Sequence, residues 1–275
     1  MSERKTINIL VTLNENYIPY LNVMLTSLVF QNQGCRFDVY LLHSSIKASA
    51  LSETKKILEG YGRLIPVQAK DIGLENAPIT ARYPKEMYYR IFAARYLPET
   101  LDRVLYLDPD IIVNGSVKEL YDLSMEGNYF AAATHNGSFM HKVNEVRLDM
   151  EPESLYINSG VMLMNLKLLR EEQDYAEVFA FIEKRRNLLI LPDQDIISGL
   201  YGNRILELDT FRYNMTETLY QLHTPLDREL NLDWVRRHSV IIHYCGRNKP
   251  WKDAYIGQLD IFYKETEERM KLRMR

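Results

Sequence analysis

Asp108 and Asp110 stand two residues apart in "RVLYLDPDIIVNGSV" (103–117), with apolar runs on both sides. A carboxylate is expensive to bury without a cation or hydrogen bonds. Either the chain surfaces here and the acids are solvated, or a positive ion is held between them. Carboxylate oxygens suit hard divalent ions such as Mg²⁺ and Mn²⁺, which proteins share with substrate phosphates. His243, in "VIIHYCGRNKPW", also follows an apolar run and is the best third ligand. An imidazole beside two carboxylates favours Mn²⁺, with Mg²⁺ as the alternative. The competing reading of His243 is a structural histidine satisfied by its neighbours.

The elements around these residues must bring them together. "INILVTL" (7–13), "FDVYLLHS" (37–44) and "RLIPVQA" (63–69) read as strands. "YLNVMLTSLVFQN" (20–32) and "KASALSETKKILEGYG" (47–62) between them have helical spacing. This rhythm predicts an α/β fold with a mostly parallel, Rossmann-like sheet flanked by helices. "PKEMYYRIFAARYLP" (84–98) reads as a helix leading into a strand over 103–113. "YFAAATH" (129–135), "YINSGVMLMNL" (156–166) and "VIIHYCG" (240–246) read as strands, and residues 167–187 as one long amphipathic helix. Parallel sheets present ligands at the carboxyl ends of strands. Asp108, Asp110, His135 and His243 all fall at such ends. The chain reads as one domain over residues 1–252 with a helical tail over 253–275.

Composition excludes several partners. The net charge of −3 provides no basic field for nucleic acid. The start, "MSERKTINILVTL", has too short an apolar part for a signal peptide. No run approaches the roughly 20 apolar residues that span a bilayer. Two cysteines, Cys35 and Cys245, make no disulfide framework. The expectation is a cytoplasmic protein. Four of the last seven residues are basic. They set a peripheral contact with anionic lipid at the inner face of the membrane against a plain solvated helix end.

"LYLDPDIIV", "YINSGVMLMNLKLLRE", "LPDQDIIS" and "IIHYCGRNKPW" occur in the order and spacing of bacterial glycosyltransferase family 8. "ILVTLNENYIPYLNVMLTSL" resembles that family's nucleotide-binding first strand and helix, so the resemblance covers roughly residues 7–252. The family includes lipopolysaccharide galactosyl- and glucosyltransferases and is distantly similar to glycogenin. The resemblance implies a GT-A fold with a D-x-D metal site at a strand end. It also implies Mn²⁺ and retaining transfer of glucose or galactose from a UDP-sugar to a glycan or glycolipid acceptor. Residue by residue, it gives Asp108, Asp110 and His243 to the metal, and Gly246 and Lys249 to the diphosphate. Thr12, Asn14, Asn16 and Tyr17 match contacts to uracil and ribose, and Arg90 matches a donor contact. Asn158, Asp193 and Gln194 match residues around the transferred sugar.

That chemistry is coherent. Leaving-group charge grows on the diphosphate, and Lys249 would meet it where it develops. Asp193 would orient a sugar hydroxyl and Gln194 would face the electron-poor carbon. No carboxylate nucleophile is evident, so a front-face mechanism is expected. Each residue also has a plainer reading. Asn158 can cap a turn and Asp193 a helix, while Arg90 can be a helix-face charge. Asp195 reads as structural, and Trp251 as either core or sugar platform. Two departures from the family stand out, since Asn14 and His135 each replace an acid. The competing classes are a non-catalytic sugar-nucleotide or glycan binder and a haloacid-dehalogenase-like phosphatase. The latter's D-x-D usually lies near the N-terminus and has a later acidic partner.

Overall fold

The protein is described by a computed structural model covering residues 4–274, apart from 71–72, 75–76, 79–83 and 135–137. Nine strands are present among the described residues: β1 (Lys5–Thr12), β2 (Cys35–His43), β3 (Gly62–Gln68), β4 (Arg103–Leu107), β5 (Ile111–Val113), β6 (Phe130–Thr134), β7 (Ile157–Asn165), β8 (Ile205–Leu208) and β9 (Ile241–His243). Seven form one sheet in the order β3-β2-β1-β4-β7-β6-β8, and β5 and β9 form a separate ribbon. Only the two pairings of β7 in the large sheet are antiparallel. The other four are parallel.

Alternation within the strands explains how the sheet is covered. Ile7, Ile9 and Val11 face one apolar layer together with Phe37, Val39, Leu105 and Leu163. Leu10, Tyr40, Val104, Tyr106 and Met162 face the other. Strands buried on both faces need apolar residues at every position, as parallel sheets do. The helix Ile18–Gln31 closes the first layer with Leu21, Met24, Leu25 and Leu28. The helices Tyr175–Arg185 and Pro192–Tyr201 close the second with Val178, Ile182, Ile196 and Ile197.

Several elements differ from the sequence reading. The strand expected over 103–113 is two strands, broken at Asp108-Pro109-Asp110. Pro109 has no N–H to continue a ladder, and the chain leaves the large sheet there to pair with β9. Residues 85–92 form a 3₁₀ helix before a short α-helix, Ala93–Tyr96. The helix expected over 167–187 is two, Leu166–Glu172 and Tyr175–Arg185, because Asp174 caps the second through the Ala176 N–H at 2.8 Å. His135 lies outside the described residues.

The C-terminal helix Asp260–Met274 packs on the body. Phe262 and Tyr263 are buried beside β5 and β9, and the guanidiniums of Arg269 and Arg273 lie over the rings of Phe30 and Tyr61. No helix among the described residues is long and apolar enough to cross a membrane.

Candidate active site

The switch from the large sheet to the ribbon builds the site. Asp108 follows β4 directly, and its N–H donates to Gly160 C=O on β7 at 2.8 Å. Asp110 precedes β5, whose register sets Ile111 opposite His243 on β9. The Asp110 carbonyl accepts from Tyr244 N–H at 3.0 Å, which locks the ribbon's end beside the acids. Gly160 is part of the cage. A Cβ there would lie 2.3 Å from His243 Cε1 and 2.8 Å from Asp108 Oδ2.

Each side chain spends one atom on the protein and turns another inward. Asp108 Oδ1 accepts from Tyr106 Oη at 2.5 Å and pairs with Arg90 at 3.1 Å. Thr12 Oγ1 lies 3.2 Å from the same tyrosine oxygen. His243 Nδ1 donates to Asn214 Oδ1 at 2.9 Å, which fixes the tautomer and leaves a lone pair on Nε2. Nε2 lies 3.3 Å from Asp110 Oδ1 and 3.8 Å from Asp108 Oδ2. Asp110 Oδ1 is buried with no hydrogen-bond donor. One ligand atom from each residue falls within 4.8 Å of the others. Three inward acceptors with no donor among them fit a divalent cation.

Cations already present pair with these acids. Lys249 Nζ donates to Asp110 Oδ2 and, at 2.7 Å, to Tyr244 C=O. Burial alone would raise the Asp110 carboxyl, but the Lys249 ammonium outweighs it and holds the pKa well below the usual carboxylate range. Burial works against the Lys249 ammonium too, yet Asp110 raises its pKa overall. Arg90, only 6% exposed, is a strut between two carboxylates. It bonds Asp108 on one side and Asp193 on the other at 2.9 Å, with Ser159 C=O at 3.1 Å and its plane over Tyr106. Burial pushes the Asp193 carboxyl above its ordinary value despite Arg90.

A cleft of about 330 Å³ runs over these groups. Thr12, Asn14, Tyr17, Arg90, Asp108, Asp110, Asn158, Asp193, Gln194, His243, Gly246 and Lys249 all line it. Asn16 does not. It is exposed, and its N–H donates to Asn14 Oδ1 at 3.1 Å, so Asn14 caps the Glu15–Tyr17 turn as well as facing the cleft. Asn158 Oδ1 accepts from Gly160 N–H.

Asp193 and Asp195 part company. Leu191 holds the N-cap position of the helix Pro192–Tyr201 without a side-chain cap bond, and Asp193 sits in its first turn bonded to Arg90 and Ser159 Oγ. Asp195 is fully buried and structural. It accepts from Arg147, Tyr156 and the Ile190 and Leu191 N–H groups. Trp251 is packing, stacked on Tyr20 at 3.8 Å.

Sequence reasoning missed Tyr106, Ser159, Gly160 and Asn214. Gly160 left a signal, since a lone glycine inside a strand marks close approach. The other three act through contacts of 29 to 94 residues' separation or sit unmarked in an apolar strand.

Comparison with known proteins bears on the family and the fold. The model for "Glycosyl transferase family 8" matches residues 8–254. A lipopolysaccharide 1,2-glucosyltransferase of Escherichia coli K12 is 26% identical over 94% of this chain and 76% of its own length. A lipopolysaccharide 1,3-galactosyltransferase of Salmonella typhimurium LT2 is 25% identical over 91% of this chain and 74% of its own. The crystal structure of galactosyltransferase LgtC with donor and acceptor sugar analogs superposes with a TM-score of 0.81 at 23% identity, covering 96% of both chains. The fold class is GT-A.

Proposed function

The chain belongs to glycosyl transferase family 8, and from that we propose a Mn²⁺-dependent, retaining transfer of glucose or galactose from a UDP-sugar to a glycan or glycolipid acceptor. The observation that carries the reading is the convergence of Asp108, Asp110 and His243 in one cleft with Lys249 and Asp193.

Asp108, Asp110 and His243 would hold the cation. When bound, it supplies Lewis-acid neutralisation of charge on the departing diphosphate. Lys249 and the turn at Gly246 hold the same phosphates, and the lysine's interaction strengthens as the sugar–phosphate bond breaks. Tyr17 presents a half-exposed ring for stacking by uracil, and Asn14 and Thr12 line the ribose and base end. At the other side, Asp193 accepts from a hydroxyl of the transferred sugar while Arg90 and Ser159 fix its orientation. Asn158 and Gln194 flank that sugar. The acceptor hydroxyl then attacks from the face the phosphate leaves, and its proton passes to the departing phosphate oxygen.

The test is UDP release with Mn²⁺ across a panel of UDP-sugars, read first as slow hydrolysis without acceptor. Turnover of UDP-glucose or UDP-galactose that stops with a chelator is expected. UDP binding without turnover of any sugar, with or without glycan acceptors, would leave only a non-catalytic binder.

A further inference from the structure

Lys249 sits on a loop whose far end is fastened outside the cleft. The loop leaves the ribbon at Tyr244 and returns at Leu259, where Tyr244 Oη donates to Leu259 C=O at 2.8 Å. Asn248 braces it from within. The asparagine amide bonds both the N–H and the C=O of Ile256, at 3.0 and 2.7 Å. The closing end rests on Glu217. This residue is 8% exposed and has no ion-pair partner among the described residues. Its Oε2 accepts from Tyr255 Oη at 2.7 Å and from the N–H groups of Gln258 and Leu259 at 3.1 and 2.9 Å. Its Oε1 accepts from Gln221 at 3.1 Å.

A buried carboxylate is tolerable only when its lone pairs are filled, and here donors alone converge on it. The backbone is shaped around the acid as well. Gly257 has a φ of +146°, and a Cβ there would lie 2.1 Å from Glu217 Cδ. No group of this cluster lines the cleft.

We infer that Glu217 is a positioning residue for Lys249: it closes the 244–259 loop so that the ammonium reaches Asp110 and the phosphate subsite. The chain of contacts is continuous. Glu217 holds Leu259, Leu259 holds the Tyr244 hydroxyl, and the Tyr244 carbonyl holds Lys249. This inference rests on the diphosphate role given to Lys249 above.

An acceptor-only group matters here. Glu217→Gln keeps the size but turns an NH₂ toward donors or drops the charge that three of them share. The test is a double-mutant cycle in the full chain, using Glu217→Gln, Lys249→Ala and both together. Initial rates of UDP-glucose and UDP-galactose hydrolysis are measured with Mn²⁺. Glu217→Gln should lower kcat roughly tenfold, about the rate equivalent of one misplaced hydrogen bond, with KM little changed. In the Lys249→Ala background the same change should cost less than about twofold, because coupled residues are non-additive. A full loss that persists without Lys249, or a wild-type rate in Glu217→Gln, overturns the inference while leaving the transferase reading intact. Absence of wild-type turnover overturns both. Should Glu217→Gln fail to fold, Tyr255→Phe removes one donor and runs through the same cycle with the same expected pattern.

Discussion

Replacing Gly160 by alanine tests whether Asp108 and His243 form one metal-sized cage. The added Cβ would lie 2.3 Å from His243 Cε1, 2.9 Å from its Nε2 and 2.8 Å from Asp108 Oδ2, whereas ordinary contact begins near 3.4 Å. The backbone is held on its β4 edge, where Gly160 C=O accepts from Asp108 N–H next to the Leu107–Val161 pair. The ring and the carboxylate must therefore yield by roughly an ångström, while metal–ligand distances tolerate only about 0.2 Å. Disturbing ligand orientation costs roughly 10–100-fold in metal affinity, or about 1.4–2.7 kcal/mol. Overpacking should also cost about 1–3 kcal/mol of folding stability. Free Mn²⁺ counted by electron paramagnetic resonance gives the first quantity, and urea unfolding without metal gives the second. A folded Gly160→Ala variant whose Mn²⁺ affinity is within twofold of wild type would show that these residues do not ligate one ion.

Other outcomes follow from the same contacts. Lys249→Ala should lower kcat more than it raises KM, since leaving-group charge appears in the transition state; a pure KM effect would reduce Lys249 to donor binding. Arg147→Met should destabilise the fold by about 3–5 kcal/mol in urea titration, because it removes the counter-ion of the buried Asp195 carboxylate; a loss under 1 kcal/mol would refute that. UDP should bind more tightly than CDP with Mn²⁺ present. Asn14→Ala should narrow that gap by about 1 kcal/mol in calorimetry, and Asn14→Ser, which keeps the turn cap, should narrow it too. An unchanged ratio in both variants removes Asn14 from the base pocket.

The parallel sheet was legible because its first strands carry apolar residues at both parities and helical spacing between them. Legibility failed where local sequence and distant partners compete. Residues 103–113 look like one strand on hydrophobicity alone. They become two because β5 has a better edge on β9, more than 120 residues later. The 167–187 pattern looks like one helix, yet Asp174 offers the backbone a cap in its middle and the chain takes it. β8 is only four residues long, too short for periodicity to mark.

For the site, residue types announced the chemistry and the contacts assigned the oxygens. The acids of Asp108-Pro109-Asp110 look equivalent in sequence, but each has one oxygen already committed to a different cation. Asp108 gives Oδ1 to Arg90 and Tyr106, and Asp110 gives Oδ2 to Lys249. What remains is one inward oxygen apiece, facing an imidazole nitrogen whose proton is on the other side. The two cations also lead in different directions. Arg90 continues to Asp193 at the proposed sugar end, and Lys249 continues to the loop that Glu217 closes. Binding an ion to the inward oxygens would therefore act on both ends of the cleft through arms already in place. Those arms join residues as far as 139 positions apart, which is why a motif two residues long marked the centre of the site and no pattern marked its supports.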